Sequence, residues 1–324
     1  MSVRPLTERV LAGLPGPRVV WITVWALVPW LNAGANLLLD TGGTSAVWEQ
    51  SPTFVVLNYT ALSLAIVITV WGTGRIARHV EALRSSTAKV LEGDPAERFR
   101  EMNVAIGPLV ASAMTSVAFG VSALARDGWT SALLRGATWF VLGVAIWSFL
   151  WTYGVLHLGL DRLGRGRLLP EAARVDPALG LRPLGDVAFM GLWMLLAWLV
   201  PVLLTGLPDV VGVVLGASVL GLGLTAFVVS LVRLHRQMIA VKATELATAR
   251  RLYAEAYEPV RSAGTLESLE QQRQLLGAAD ALESRARAIH EWPIDEGTVA
   301  RVVTIATSVV AITIGRLILG PLGL

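Results

Sequence analysis

The chain has 324 residues and a formal net charge of +3; 54% of its residues are hydrophobic, only 16% are charged, and its mean hydropathy is +0.61. Soluble domains contain about 45–50% apolar and about 25% charged residues, so this chain has more apolar surface than a water-soluble core can bury. The composition excludes an ordinary soluble enzyme and a disordered or collagen-like chain, and the absence of cysteine excludes disulfides, thiolate metal sites and cysteine nucleophiles. It predicts an all-α polytopic membrane protein.

Seven apolar segments are long enough to cross a bilayer, because a helix of about 20 apolar residues spans the ~30 Å hydrocarbon layer. In chain order the predicted spans are 19–39, 54–72, 104–125, 132–158, 187–204, 210–232 and 298–319. The first span has an alternative interpretation, since three arginines precede its apolar run and Ala33-Gly34-Ala35 is typical of a signal-peptide cleavage site. The apolar stretch continues to Leu39, however, which favours an uncleaved helix.

The distribution of positive charge predicts the orientation of these spans. With the N-terminus inside, 24 of the 27 Lys and Arg residues fall on the cytoplasmic side, and only Arg126, Arg135 and Arg316 lie outside. Cytoplasmic segments of membrane proteins carry an excess of Lys and Arg. The sequence therefore predicts seven transmembrane helices in the cell (plasma) membrane, with the N-terminus in and the C-terminus out.

After the sixth predicted span, no helix breaker occurs before Pro259, and apolar residues recur at steps of three and four. The first stripe consists of Ile239, Ala243, Leu246, Ala249, Tyr253 and Tyr257, and the second of Leu266, Leu269, Leu276, Ala279, Leu282, Ala286 and Ile289. Two such helices joined at Pro259 and Gly264 predict a cytoplasmic hairpin. The domains predicted from this pattern are a six-helix transmembrane bundle at 1–232, the hairpin at 233–291, and a break with the last transmembrane helix at 292–324.

Each amphipathic stripe of the hairpin has to be buried against something. The candidates are the other stripe, the segment 76–90, or the same hairpin of a second subunit. Periodicity does not choose between them. If the hairpin is a shared oligomerisation core, its anchor residues are Leu246, Tyr253, Leu269, Leu276 and Leu282.

The last predicted helix is separated from the hairpin by a break. Pro293 has no amide hydrogen and disfavours helix at Trp292, so the chain should leave the helix there. Asp295 is a plausible N-cap for the helix that follows, and Glu296 adds negative charge at the positive end of its dipole. Trp292 suits the interfacial layer of a membrane.

Small and hydroxylated residues form one face of the last helix. They are Gly297, Arg301, Thr304, Ser308, Ala311 and Gly315. Such a face has two interpretations: close packing against other helices, or the lining of an aqueous path in a symmetric assembly. In the second interpretation the pore-lining residues are Arg301, Thr304, Ser308, Ala311 and Gly315, with Asp295 and Glu296 at the entrance.

Several classes of function lack their usual residues. None of the 24 Asp and Glu residues falls inside a predicted span, which disfavours a proton- or sodium-coupled carrier. The four histidines have no metal-ligand spacing, and His157 is interpreted as a polar residue at the membrane interface. We find no nucleotide-binding or catalytic motif, so the sequence predicts no enzyme, cofactor, metal or nucleic-acid partner. A small-molecule ligand between the helices is conceivable, although no residue singles out its pocket.

The layout as a whole resembles the seven-transmembrane ion channel superfamily of insect odorant and gustatory receptors, whose prokaryotic relatives share its topology. The resemblance covers nearly the whole chain as architecture. The superfamily's Thr-Tyr…Gln-Phe signature is absent, since Thr304 is followed by Ile305, and no functional residue is carried over. The resemblance implies a homotetramer in which the inner extensions form a shared anchor and the last helix lines a central pore.

The leading hypothesis is therefore a homo-oligomeric ion channel. The alternative is a non-conducting membrane scaffold or signalling protein whose hairpin docks a partner. A solute transporter is less well supported, because seven spans do not divide into two equal inverted repeats.

Overall fold

A computed structural model of the chain describes residues 3–39, 51–87, 95–166, 178–205, 210–257 and 266–294, and nine positions between 297 and 315. The helices are α1 (Leu6–Gly13), α2 (Arg18–Leu38), α3 (Pro52–Thr87), α4 (Ile106–Leu163), α5 (Arg182–Thr205), α6 (Val210–Tyr257) and α7 (Leu266–Ala288). A 3₁₀ helix, Pro95–Asn103, precedes α4. The described residues contain no strand, which confirms the predicted all-α fold.

Five helical stretches are long and apolar enough to cross a membrane. They are Arg18–Leu38, Pro52–Leu83, Glu97–Leu163, Arg182–Pro201 and Gly216–Tyr257. These stretches correspond to the first six predicted spans, because the third of them contains two. Most of the seventh, 298–319, lies outside the described residues.

α4 contains those two segments because it folds back on itself at Gly128. The φ and ψ angles of Gly128 are 83° and −176°, far from helical values, and the two arms on either side run antiparallel. Ser116 in the first arm donates a hydrogen bond to the carbonyl of Gly136 in the second (2.7 Å), and the rings of Phe119 and Trp139 stack with centroids 4.1 Å apart. The connection between the third and fourth predicted spans thus departs from helical geometry at a single glycine.

We expect Gly128→Ala to lower the thermal unfolding midpoint of the purified protein. A side chain at this combination of φ and ψ is strained by about 1–3 kcal/mol, since essentially only glycine adopts it. Gly221→Ala is the matched control, because Gly221 lies within helix α6 and a methyl group there would meet no atom within 4 Å. An unchanged midpoint for Gly128→Ala would contradict the reversal at this residue.

α5 lies at the centre of the bundle, packed mainly against α3 and α6. Of the residues in its apolar stretch, 61% are buried, whereas the share in the other four stretches is between 11% and 33%. The helix contains Pro201, which transmembrane helices tolerate when neighbouring helices pack around them. The surrounding helices therefore present extensive apolar surface outward, which suits lipid or further protein rather than water.

α1 and the 3₁₀ helix, two short elements that were not predicted from the sequence, cover one end of the bundle. This end lies opposite Gly128, and we call it the hairpin end. In α1, Leu6, Thr7 and Leu11 are buried. In the 3₁₀ helix, Phe99 is fully buried at a place that Gly159 of α4 leaves free of side chain. The backbone N–H of Arg4 and the guanidinium of Arg9 donate to the side chain and carbonyl of Asn103 (2.6 and 2.7 Å), which ties the two elements together.

Candidate functional site: the terminal helix and its anchor

The described positions of the terminal helix lie between 297 and 315. In the chain, this helix follows the hairpin, which consists of residues 233–257 of α6 and all of α7. We call this hairpin the stem. α6 leaves the bundle without interruption, as predicted, and α7 packs back along it. The seam between them is made of fully buried alanines, which let the two helices approach closely. These alanines are Ala249 and Ala256 on α6, and Ala279 and Ala286 on α7. The stem thus packs against its own chain, one of the arrangements that periodicity left open.

The predicted stripe of α6 coincides with the observed one only in part, since Ala249 lies in the seam and Leu246 and Tyr253 are half-buried. Ile239, Ala243 and Tyr257 are exposed, whereas Met238 is fully buried. The reason is that α6 begins inside the bundle, where Leu234 and Met238 belong to the core, and this packing fixes the helix rotation. A shift of one residue turns a helix by about 100°. The described part of the α7 stripe is as predicted, because Ala279, Ala286 and Ile289 are buried.

The predicted anchor residues occupy the margin of the seam. Leu246, Leu276 and Leu282 are half-buried, and the side chain of Leu269 lies outside the described residues. Tyr253 is also half-buried, and its hydroxyl donates to Asp280 and lies 3.2 Å from Glu283 Oε2. This contact crosses from α6 to α7 and adds a polar bond to the alanine seam.

The break after α7 lies where the sequence predicts it, and it is docked on the bundle. α7 ends at Ala288 and residues 289–294 are not helical. The ring of Trp292 stacks on that of His235 of α6, with centroids 3.9 Å apart and planes 14° from parallel. His235 Nδ1 donates to the carbonyl of Glu291 (2.6 Å), and Lys242 Nζ pairs with the Glu291 carboxylate (3.2 Å). Two residues of the break, Glu291 and Trp292, are therefore held by α6.

α5 contacts the break from the other side, and we call the contacts of residues 289–294 with α5 and α6 the dock. Pro293 and Ile289 are buried, and Ile294 packs against the hydrophobic core. A Cβ atom on Gly185 of α5 would come 2.1 Å from the carbonyl oxygen of Pro293, so only glycine fits there. Gly185 and His235 were not predicted to contact the break, because neither residue belongs to a periodic pattern. A glycine in the first turn of an apolar helix is the one signal that could have indicated the close approach.

The small and hydroxylated face of the terminal helix is exposed on the single chain. Arg301, Thr304, Ser308 and Ala311 are exposed, and Gly315 is half-buried. Thr307 and Val303, which the sequence analysis did not single out, are exposed as well. Asp295 and Glu296, the predicted entrance residues, lie outside the described residues.

The hydroxyl groups on this face are hydrogen-bonded within the helix. Thr304 Oγ1 donates to the carbonyl of Ala300 (2.9 Å), Ser308 Oγ to that of Thr304 (2.9 Å) and Thr307 Oγ1 to that of Val303 (2.8 Å). Each hydroxyl proton is thereby used inside the helix, and the remaining lone pairs of each oxygen are left for a partner outside it. These oxygen atoms can therefore accept hydrogen bonds from water or contact a cation, while their own hydroxyl protons remain bonded to the helix backbone.

His157, which the sequence analysis interprets as a polar residue at the membrane interface, is buried between α4 and α6. Its Nδ1 lies 2.9 Å from Ser230 Oγ, and Ser230 in turn donates to the carbonyl of Phe227 (2.8 Å). Because the single Ser230 proton is used there, Nδ1 must carry the proton of the imidazole. The ring also packs edge-on against Tyr153, whose hydroxyl donates to the carbonyl of Gly223 (2.8 Å). His157 thus belongs to a polar contact that joins α4 and α6.

The described residues hold no cluster of side chains that resembles a metal centre. Within them, no group of three or more His, Asp or Glu side chains lies close enough together to hold a metal ion. Comparison with known proteins found no match for the chain, whether among family models, curated proteins or solved structures. The exposed face of the terminal helix, with the dock that positions it, is therefore the candidate functional site.

Proposed function

We propose that the protein is a homo-oligomeric ion channel of the cell membrane, with the terminal helix lining a central pore. Each copy crosses the membrane seven times, with the N-terminus in and the C-terminus out, and the expected assembly is a tetramer. The observation that carries the proposal is the row of small and hydroxylated side chains, Thr304, Ser308 and Ala311, on a helix that the single chain leaves exposed.

Val303 and Thr307 are exposed as well, so it is the composition of this face, together with the exposure of the helix, that favours a location between copies. Surfaces that face lipid are apolar, whereas small residues in membranes mark close helix contacts and cationic residues avoid hydrocarbon. Closed symmetric assembly presents the same face of every copy to one axis. There, the outward lone pairs of Thr304 and Ser308 would line a path for water and ions.

The dock supports the same proposal, because it gives the terminal helix a fixed start. Trp292 and Pro293 contact α6 and α5 directly, so the helix begins at a defined place on the bundle. The apolar surface that α2, α3, α4 and α6 present outward is also compatible with contact to lipid and to neighbouring copies.

The alternative, a non-conducting scaffold whose stem binds a partner, has its own observation. Ile239, Tyr257 and Leu275 are 41%, 58% and 41% exposed on the stem, which is a set of large apolar side chains outside the alanine seam. In the channel these residues would meet the stems of the other copies. In the scaffold they would meet another protein.

Reconstitution separates the two functions. We expect the purified protein to have the mass of a tetramer in detergent and to carry ion flux into liposomes above the level of protein-free liposomes. Ile239→Asp combined with Leu275→Asp should weaken the tetramer, because each charge would lie in the contact between stems. A monomeric protein without flux, whose binding to a cellular partner is lost in the same double variant, would support the scaffold and contradict the channel.

A further inference from the structure

Two grooves run along the second arm of α4, one on each side of a ridge formed by Gly154 and Leu158. One groove lies between the two arms of α4 and has a volume of about 400 Å³. The other lies between α4 and α6 and has a volume of about 510 Å³. Gly154 and Leu158 line both grooves, and Leu158 is 53% exposed between them.

The walls of the grooves are mostly apolar. In the first groove they include Ala111, Leu150 and Trp151, and in the second Ala226 and Val229. Both grooves belong to helical stretches that are apolar enough to lie in a membrane. Their volumes and mostly apolar linings suit hydrocarbon chains, one on each side of Leu158.

Both grooves end at the hairpin end of the bundle, where four arginines gather. Arg162, Arg165, Arg233 and Arg236 are at least partly exposed, and Arg233 and Arg236 line the second groove. Asp161 pairs with Arg233 (2.7 Å) and Arg165 (2.9 Å), and Glu101 pairs with Arg162 (2.8 Å). Among the described residues, four positive charges thus face two carboxylates at this corner. No carboxylate among the described residues pairs with Arg236.

This corner is held in place by a polar clamp. The side-chain amide of Gln237 donates to the carbonyls of Gly164 and Gly166, both at 2.7 Å. These carbonyls follow the last turn of α4, so the clamp fixes the end of α4 against α6. Arg165 and Arg233 are therefore brought together by two joined helices rather than by a loose loop.

We propose that an anionic phospholipid binds at this corner, with its phosphate on Arg165, Arg233 and Arg236 and one acyl chain in each groove beside Leu158. Basic pockets between transmembrane helices on the cytoplasmic side are typical sites for anionic headgroups. The excess of positive charge selects an anion, and the apolar grooves select a lipid over a soluble phosphate. The assignment to the cytoplasmic leaflet rests on the orientation given in the proposed function; binding itself does not require conduction.

Native mass spectrometry of the full-length protein in detergent tests this site with added phosphatidylglycerol. We expect tighter binding of two-chain phosphatidylglycerol than of phosphatidylcholine or single-chain lysophosphatidylglycerol. Arg236→Gln should weaken phosphatidylglycerol about fivefold, since one arginine near an anionic lipid contributes about 1 kcal/mol. Arg126→Gln is the matched control, because Arg126 is an exposed arginine near Gly128, at the other end of the bundle. It should leave the affinity for phosphatidylglycerol unchanged.

Three results would overturn the proposal. They are equal affinity for phosphatidylglycerol and phosphatidylcholine, equal effects of Arg236→Gln and Arg126→Gln, and displacement of the lipid by glycerol 3-phosphate at similar concentration. The last would identify a site for a soluble anion. The readout is the mass of lipid bound to the protein and does not depend on ion flux. A protein that selects phosphatidylglycerol but carries no ion flux would therefore contradict the channel and still support the lipid site.

Discussion

Thr304→Trp and Ser308→Trp are each expected to abolish ion flux in reconstituted liposomes. Both residues lie on the exposed face of the terminal helix, where the wild-type side chains are small and folded onto their own backbone. In a symmetric assembly an indole at either position would be repeated around the axis, and bulky apolar rings in a narrow pore exclude water and ions. The measurement is flux per reconstituted oligomer, with assembly checked by mass.

The control for these substitutions is Leu222→Trp. Leu222 is an apolar residue of α6 that is 72% exposed, so an indole there adds similar bulk to an outward surface without entering the proposed pore. We expect normal assembly and normal flux for this variant. Unchanged flux in both Thr304→Trp and Ser308→Trp, with the oligomer intact, would show that the terminal helix does not line the path.

Gly185→Ala is expected to displace the break from the bundle and to reduce flux strongly. The added methyl group would have to occupy space 2.1 Å from the carbonyl of Pro293 and 2.7 Å from Ile294 Cγ2. Overpacking costs typically about 1–3 kcal/mol, and a backbone carbonyl fixed between two helices yields less easily than a side chain. The terminal helix would then lose its fixed start.

Displacement of the break can be measured independently of flux, because the chain has no native cysteine. Ile289→Cys places a thiol at a site that is 3% exposed, so we expect a water-soluble thiol reagent to modify this variant slowly. Modification should become rapid when Gly185→Ala is added to Ile289→Cys. Gly221→Ala, which meets no atom within 4 Å, should leave the rate unchanged. Equal rates in all three proteins would contradict the dock.

Features determined by local chemistry could be predicted from the sequence. Apolar length predicted the helical stretches now seen in α2 to α6, and the lack of a breaker before Pro259 predicted that α6 continues to Tyr257. Pro293 predicted the break after α7. In each case one residue type or one run of residues acts on its own backbone, so no knowledge of neighbours is required.

Features determined by tertiary neighbours could not be predicted in this way. The rotation of α6 depends on how Leu234 and Met238 fit the core, and periodicity does not record which face meets which helix. The burial of His157 depends on Ser230 on another helix. The packing of Leu6 and Leu11 on α3 and α4 is a further tertiary contact that the spacing of these residues does not indicate.

The residues of the candidate site could be predicted from the sequence, but their exposure and the contacts that hold the preceding break could not. The steps of three and four from Gly297 to Gly315 place the small residues on one face, and Thr307 was missed because it lies at the edge of that face. Nothing in the spacing indicates that the face is exposed on the single chain. Nor does it indicate that Gly185 and His235 hold its start, since those residues are over 50 positions away in the sequence.

The measurement that tests the central claim most directly compares Thr304→Cys with Val303→Cys in reconstituted protein. Both side chains are exposed on the single chain, but the two positions differ by about 100° around the helix. We predict that a charged, membrane-impermeant thiol reagent modifies Thr304→Cys and blocks flux, while it leaves Val303→Cys unmodified. Modification of Val303→Cys alone, or of neither variant in a protein that conducts, would contradict a pore lined by this face.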